Sequence, residues 1–149
     1  MKDAAEIVFR KPQADDLAIA VQALAAAGLP TADLKLSHLK LVATSGSHIA
    51  GLVGLEACSE HGLLRSLVVV PDYRGLGLGQ RLVQALEETA KSDGIRCLWL
   101  LTIDAEGFFS TLGYERQDRS VAPAAIAASE EFSSLCPGSA AFMSKQLLR

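Results

Sequence analysis

The chain has 149 residues, half of them hydrophobic and 21% charged, and carries a net charge of −3. That length suits one domain, residues 1–149, with a core large enough to fold without staples. The slight negative balance argues against nucleic acid as a partner, and no apolar run approaches the ~20 residues that span a bilayer.

Residues 6–9 alternate well enough for a short first strand, which Pro12 stops. Asp15 or Asp16 can cap the following helix, because a carboxylate there accepts from the orphan amides of the first turn. Leu17, Val21, Leu24 and Ala25 recur at helical spacing and predict its buried face, with Gly28-Leu29-Pro30 as its end. Residues 31–34 predict a second, shorter helix. Residues 39–43 and 49–58 are apolar on either side of Ser45-Gly46-Ser47, which is the pattern of an antiparallel hairpin. Ser59-Glu60-His61-Gly62 makes another turn into residues 63–70, a nearly unbroken apolar run that suits a strand buried on both faces.

A glycine-rich turn comes next, then a helix with Leu78, Leu82, Val83 and Leu86 on one face, ending at Gly94. Residues 97–101 predict a second buried strand. The strand–helix–strand order makes the two strands parallel neighbours or near-neighbours with a right-handed crossover. A helix over 106–112 stops at Gly113, and the stretch 114–119 follows. A helix over 124–135 has Pro123 in its first turn, and a strand over 140–147 comes last. Cys58, Cys97 and Cys136 are scattered and odd in number, so they predict reduced thiols and no metal site. Residues 1–6 hold no apolar signal-peptide core, and the expected location is cytoplasmic.

The informative stretch is Val70-Pro71-Asp72-Tyr73-Arg74-Gly75-Leu76-Gly77-Leu78-Gly79. Three glycines in five positions let backbone amides face one point without Cβ atoms in the way. The helix adds its own unpaired amides and the positive end of its dipole. Such a turn can bind a phosphate or pyrophosphate, and Arg74 can add a charge-assisted contact. Other readings compete. A dinucleotide fold wants Gly-x-Gly-x-x-Gly and an acidic residue some twenty positions on, and residues 96–101 offer no acid. A triphosphate loop wants Gly-Lys-Ser/Thr, which is missing. A tight turn that merely needs glycine is the plainest alternative.

Arg74-Gly75-Leu76-Gly77-Leu78-Gly79 resembles the Arg/Gln-x-x-Gly-x-Gly/Ala signature of the GCN5-related N-acetyltransferase (GNAT) superfamily. Residues 105–114, Ala-Glu-Gly-Phe-Phe-Ser-Thr-Leu-Gly-Tyr, look like that superfamily's Ala-x-x-Phe-Tyr-x-x-x-Gly-Phe segment. A narrower likeness, carried by residues 63–70, Leu100-Leu101-Thr102 and the tail from Arg119 through Ile126 and Phe132 to Ala140, is to the acetyltransferases of arsenic-resistance operons. A more distant one is to short N-acetylglutamate synthases. The implied fold is α/β (α+β), a mixed and mostly antiparallel sheet of six to seven strands with about four helices. At its centre a parallel pair of strands splays apart.

The resemblance implies acetyl-CoA as cosubstrate, without a metal. Main-chain groups of Leu67, Val68 and Val70 would pair with the pantetheine arm. The amides of Gly75, Gly77, Leu78, Gly79 and Gln80 would hold the pyrophosphate, with Thr102 and Phe109 also at the cofactor. The amide near Val68 would stabilise the oxyanion as a neutral amine attacks the thioester. Two departures stand out. Phe109 occupies the place of a tyrosine that many members use to protonate the leaving thiolate. Thr102 stands where many carry an asparagine.

Glu56 is a candidate general base acting through a water, or simply an exposed carboxylate near a strand end. His61 is expected in a surface turn, with His38 and His48 facing solvent. A charge inside an apolar strand needs a partner or a ligand. Arg65 therefore either binds an anionic group on the acceptor, with Arg119 and Ser66, or forms an internal salt bridge with Glu56. The implied activity is acetyl transfer to the primary amine of a small molecule, an amino acid or an amino-acid-like toxin. The alternatives are acetylation of protein amino groups and a coenzyme A-binding module without chemistry. Within the superfamily the final strand often pairs or exchanges between subunits, which is compatible with a homodimer.

Overall fold

In a computed structural model, which describes residues 7–29, 31–130, 132–133 and 139–147, the apolar periodicities become an α/β fold. Its elements in order are β1 (Ile7–Arg10), α1 (Asp16–Ala26), β2 (Leu39–Ser45), β3 (His48–Cys58), β4 (His61–Val69), α2 (Leu78–Ser92), β5 (Cys97–Thr102), α3 (Glu106–Thr111), β6 (Glu115–Gln117), α4 (Ala124–Ala127) and β7 (Ala141–Gln146). The strands form a seven-stranded sheet in the order β1-β2-β3-β4-β5-β7-β6. β4 and β5 run parallel, whereas β1/β2, β2/β3, β5/β7 and β6/β7 are antiparallel. Among the described residues no helix is long and apolar enough to cross a membrane.

The chain divides into two compact units, Met1–Leu55 with Ser66–Leu86 and Glu56–Arg65 with Glu87–Arg149. In the first, Ala20, Leu24, Leu39, Val42, Leu52 and Val68 form a buried cluster. Burial of each large aliphatic side chain of this kind contributes roughly 1.5–3 kcal/mol. Leu78, Leu82, Val83 and Leu86 are buried as their spacing predicts. The α1 face is rotated from the expected one: Ala20 and Leu24 are buried, Leu17 and Val21 half-buried, and Ala25 exposed. Neither aspartate caps α1 as expected, since Asp15 makes no side-chain cap bond. Asp16 instead turns back, accepting from Arg10 Nη1 at 2.8 Å, Arg10 Nη2 at 3.0 Å and the Gln13 amide at 2.6 Å. The Arg10 hydrogen bonds hold its carboxyl below the ordinary range, against the opposing effect of burial. No α-helix starts at 31–34 as expected: a turn lies there, and a 3₁₀ turn follows at Leu36–His38. Pro30 lies outside the described residues.

In the second unit Leu63, Cys97, Trp99, Ile126 and Phe142 form the buried cluster. Trp99 stacks on Phe142 with ring centroids 5.1 Å apart, and Phe132 meets Phe142 edge-on. His61 is not in a turn but opens β4, where its Nδ1 accepts from Trp99 Nε1 at 3.1 Å. Of the helix expected over 124–135, Ala124–Ala127 is α-helical and 132–133 form part of a π turn, while 131 and 134–135 lie outside the described residues. The α-helix gives way after Ala127, where the Ser129 hydroxyl donates to the Ile126 carbonyl and accepts from the Phe132 amide. Residues 134–138, with Cys136, lie outside the described set. β7 is flanked by β5 on one side and β6 on the other, so a dimer built on this strand would need exchange rather than edge addition.

Candidate active site

Residues 67–80 lie within the first unit, and backbone geometry dominates them. β4 ends at Val69, and a 3₁₀ turn, Pro71–Tyr73, leads to Arg74. Gly75 and Gly77 then adopt φ of +79° and +76°, the left-handed region that costs other L-residues roughly 1–2 kcal/mol each. A Cβ at either position would meet nothing within 4 Å, so the need for glycine is conformational and not steric. The Gly77 carbonyl accepts from the Arg81 amide at 3.2 Å, which starts α2. Leu78, Gly79 and Gln80 occupy the first turn, where a helix has no carbonyl of its own to offer its amides. With Gly75 and Gly77 they supply donors and a positive dipole end suited to an anion. Arg74 folds back, its Nε donating to the Val69 carbonyl at 2.8 Å.

Upstream, Ser66 has φ of +59° in the middle of β4, a strained conformation for a side chain that is neither Gly nor Asn. It interrupts the strand's alternation just before Leu67 and Val68. Gly51 on β3 faces the same stretch: an added Cβ would lie 2.8 Å from the Val68 carbonyl and 3.0 Å from Leu82 Cδ1. Only glycine lets β3 approach Val68 this closely. The Val70 amide donates to the Ala50 carbonyl at 2.9 Å, and the Val70 carbonyl accepts from the Tyr73 amide at 3.0 Å. Val70 thus has its amide engaged, and only a second carbonyl lone pair remains for a ligand.

Side chains dominate the second unit. The parallel β4/β5 ladder has three rungs, His61–Cys97, Gly62–Leu98 and Leu63–Trp99, and ends there although both strands continue. Leu64 and Arg65 therefore part from Leu100 and Leu101, as expected of a splayed pair. Arg65 Nη1 donates to Glu56 Oε2 at 2.8 Å; the arginine side chain is fully buried and that of Glu56 is 26% exposed. The internal salt bridge weighed for Arg65 is thus formed. Arg119 donates from Nη2 to the Ala140 carbonyl at 3.1 Å and lies over the Phe132 ring.

Thr102 Oγ1 accepts from the Ala105 amide at 3.0 Å and so fixes the entry to α3. Phe109 on α3 is buried, edge-on to Tyr114. Tyr114 donates to Glu87 Oε2 at 2.9 Å, and burial first, then the Glu87 charge, pushes its hydroxyl far above the ordinary range. The Tyr114 hydroxyl is thus turned to Glu87. Burial likewise raises the Cys97 thiol, against the opposing effect of a backbone hydrogen bond from Lys145. Sequence reasoning named Ser66 as a candidate but not its positive φ, and it missed Gly51 and Glu87. Gly51 carried a weak signal, a glycine inside an apolar strand, and Glu87 carried none.

A seven-stranded mixed sheet, a parallel pair that parts after three rungs, and a glycine turn feeding the helix that follows β4 define the acetyltransferase fold. The chain belongs to the acetyltransferase (GNAT) family, whose profile matches residues 12–114. It is 36% identical over 76 residues to the amino-acid acetyltransferase of Pseudomonas aeruginosa strain PAO1, covering 51% of this chain and 18% of that one. The chain spans less than half the length of such curated relatives. Its fold matches N-acetylglutamate synthase from Neisseria gonorrhoeae, crystallised with coenzyme A and N-acetyl-glutamate, with a TM-score of 0.82. Identity there is 18%, over 99% of this chain and 36% of that one. It also matches PaiA N-acetyltransferase from Thermoplasma acidophilum in complex with coenzyme A, with a TM-score of 0.68 at 18% identity, over 94% and 98% of the two chains.

Proposed function

We propose that the chain transfers acetyl from acetyl-CoA to the primary amine of a small molecule of the amino-acid class. The observation that carries this reading is the turn at residues 74–80, with two glycines in the left-handed region leading into the first turn of α2. In this reading the amides of Gly75, Gly77, Leu78, Gly79 and Gln80 hold the pyrophosphate, and Leu67 and Val68 pair with the pantetheine arm. The amine nitrogen's lone pair bonds to the thioester carbonyl carbon, and the C=O π electrons move onto oxygen, where the Val68 amide meets the charge. Donors of this kind are worth roughly 3–4 kcal/mol. The C–S bond then breaks, the thiolate leaves, and the ammonium proton passes through a water to Glu56. No acid is assigned to the thiolate; thiols have pKa values near ~8.5, so it can leave unprotonated and take its proton from solvent.

Arg65 supports the anionic side of the acceptor. A guanidinium has five donors in a fork, so it can serve a substrate carboxylate alongside Glu56, with Ser66 and Arg119 as further candidates. The likeness to an amino-acid acetyltransferase agrees with that class. An acetyltransferase of arsenic-containing amino-acid analogues is the narrower version, resting on the motif likeness alone. One observation favours a second reading, a coenzyme A-binding module without turnover: Phe109 has no hydroxyl to give the leaving thiolate. The test is thiol release from acetyl-CoA against glutamate, other amino acids, phosphonate and arsenic analogues, polyamines and peptides. Turnover confined to anionic amino acids and diminished in Arg65→Ala supports the proposal. Turnover only with polyamines or peptides removes the acceptor class, and binding without turnover favours the module.

A further inference from the structure

Two irregularities of β3, both within the first unit, meet at the foot of the glycine turn. Ala43 and Thr44 are consecutive on β2, but their partners on β3 are Gly51 and Ile49. Ala50 is therefore the extra residue of a β-bulge, a device that re-aims backbone groups. Its carbonyl accepts from the Val70 amide at 2.9 Å. Gly51 follows, and its need for glycine is steric, the converse of Gly75 and Gly77. A Cβ there would lie 2.8 Å from the Val68 carbonyl oxygen, 3.0 Å from Leu82 Cδ1 and 3.5 Å from Val69 Cα. Glycine weakens a strand interior and belongs where another backbone comes close. Val68 and Leu82 are both buried, so neither can swing into solvent to make room.

We infer that the Ala50 bulge and Gly51 are the seat of the glycine turn, and that Gly51 is a positioning residue for the pyrophosphate of the donor. The strand that enters the turn ends at Val69, and the helix that leaves it carries Leu82. Both rest on the same two residues of β3, the strand through the Val68 carbonyl and the Val70 amide, the helix through Leu82. From there the path into the turn is bonded twice more. The Val70 carbonyl accepts from the Tyr73 amide at 3.0 Å, and the Val69 carbonyl from Arg74 Nε at 2.8 Å. Gly75 and Gly77 have open space where a Cβ would stand, so packing there does not shape the turn. Its shape is set at its two ends. A side chain at position 51 would push strand and helix apart and change the span over which the five amides converge. Gly51 acts on the donor only through that span.

This inference rests on the reading that the turn's amides hold the pyrophosphate of acetyl-CoA. The test is calorimetric titration of Gly51→Ala with coenzyme A, with every protein held well below its melting temperature. Leu86→Ala, one turn further along α2 and also buried, is the control for lost packing alone. Gly51→Ala combined with Leu82→Val covers a single variant that fails to fold, because valine removes the Cδ1 contact and leaves the one to the Val68 carbonyl. The expected result is a coenzyme A affinity weakened by about tenfold in both Gly51 variants and unchanged in Leu86→Ala. In the ligand-free proteins the amide shifts of Gly75 and Gly77 should move in the Gly51 variants and stay in place in Leu86→Ala. Unchanged affinity in a folded Gly51 variant, or equal weakening in Leu86→Ala, means that Gly51 only packs the sheet and overturns the seat. Weakened affinity with the Gly75 and Gly77 amides unmoved places the effect away from the turn and overturns it too. Failure of the unaltered protein to bind coenzyme A removes the functional reading first and the seat with it.

Discussion

Residues 67–80 and the side chains proposed for the acceptor, Glu56, Arg65 and Arg119, are built of different materials. The first is backbone: amides aimed by glycines of positive φ and by the start of α2. The one charged side chain in the turn itself, Arg74, is anchored by its Nε on the Val69 carbonyl. The second is side chain: Arg65 on Glu56, and Arg119 on the Ala140 carbonyl and the Phe132 ring. A backbone site tolerates changes of side chain but not of conformation. A side-chain site fails when one member of a pair is removed.

The comparison can be broken first at Arg65. Arg65→Met removes one partner of the partly buried Glu56, a loss of about 3 kcal/mol at the lower end for broken buried pairs, since the glutamate is partly exposed. The melting temperature should fall by roughly 10 °C, and calorimetry checks it; Arg65→Met combined with Glu56→Leu should recover most of the loss. Next comes the glycine turn. Gly75→Val with Gly77→Val should weaken coenzyme A binding by about 100-fold through strain in the left-handed region. Leu76→Ala, which leaves the backbone free, should change it little. If the alanine proves as damaging as the valines, the site is not built of backbone.

Smaller effects sharpen the side-chain half. Tyr114→Phe leaves a buried carboxylate with one donor fewer and should cost about 1 kcal/mol in urea denaturation. The smallest is Asp16→Asn, about 1 kcal/mol or less, because Arg10 is partly exposed. Its pH dependence has a fixed sign. Arg10 lowers the folded carboxyl below the ordinary value of 3.8, so the stabilisation is complete above that pH and lost as pH falls through the folded value. The wild type should therefore lose its margin over Asp16→Asn below about pH 4.

Much of the fold was legible because it rests on period. Leu78, Leu82, Val83 and Leu86 share a helical face and are buried, and the runs at 63–70 and 97–101 are the parallel pair. The glycine turn was legible for the same kind of reason, since positive φ narrows the choice of residue. Legibility failed where tertiary partners override local preference. Asp16 abandons capping because Arg10 lies opposite it, and α4 gives way where the Ser129 hydroxyl donates to the Ile126 carbonyl. Ser66 adopts a glycine-like φ with no glycine to announce it. Glu87 reads as one polar position of an amphipathic helix, and its partners stand 27 and 58 residues away.

The central claim, a donor site made of backbone, is tested most directly by amide chemical shifts as unlabelled coenzyme A is added to ¹⁵N-labelled protein. The account predicts the largest perturbations at the amides of Gly75, Gly77, Leu78, Gly79 and Gln80, with a second group at Leu67 and Val68. Saturable binding that leaves those amides unmoved, or no binding at all, would contradict it.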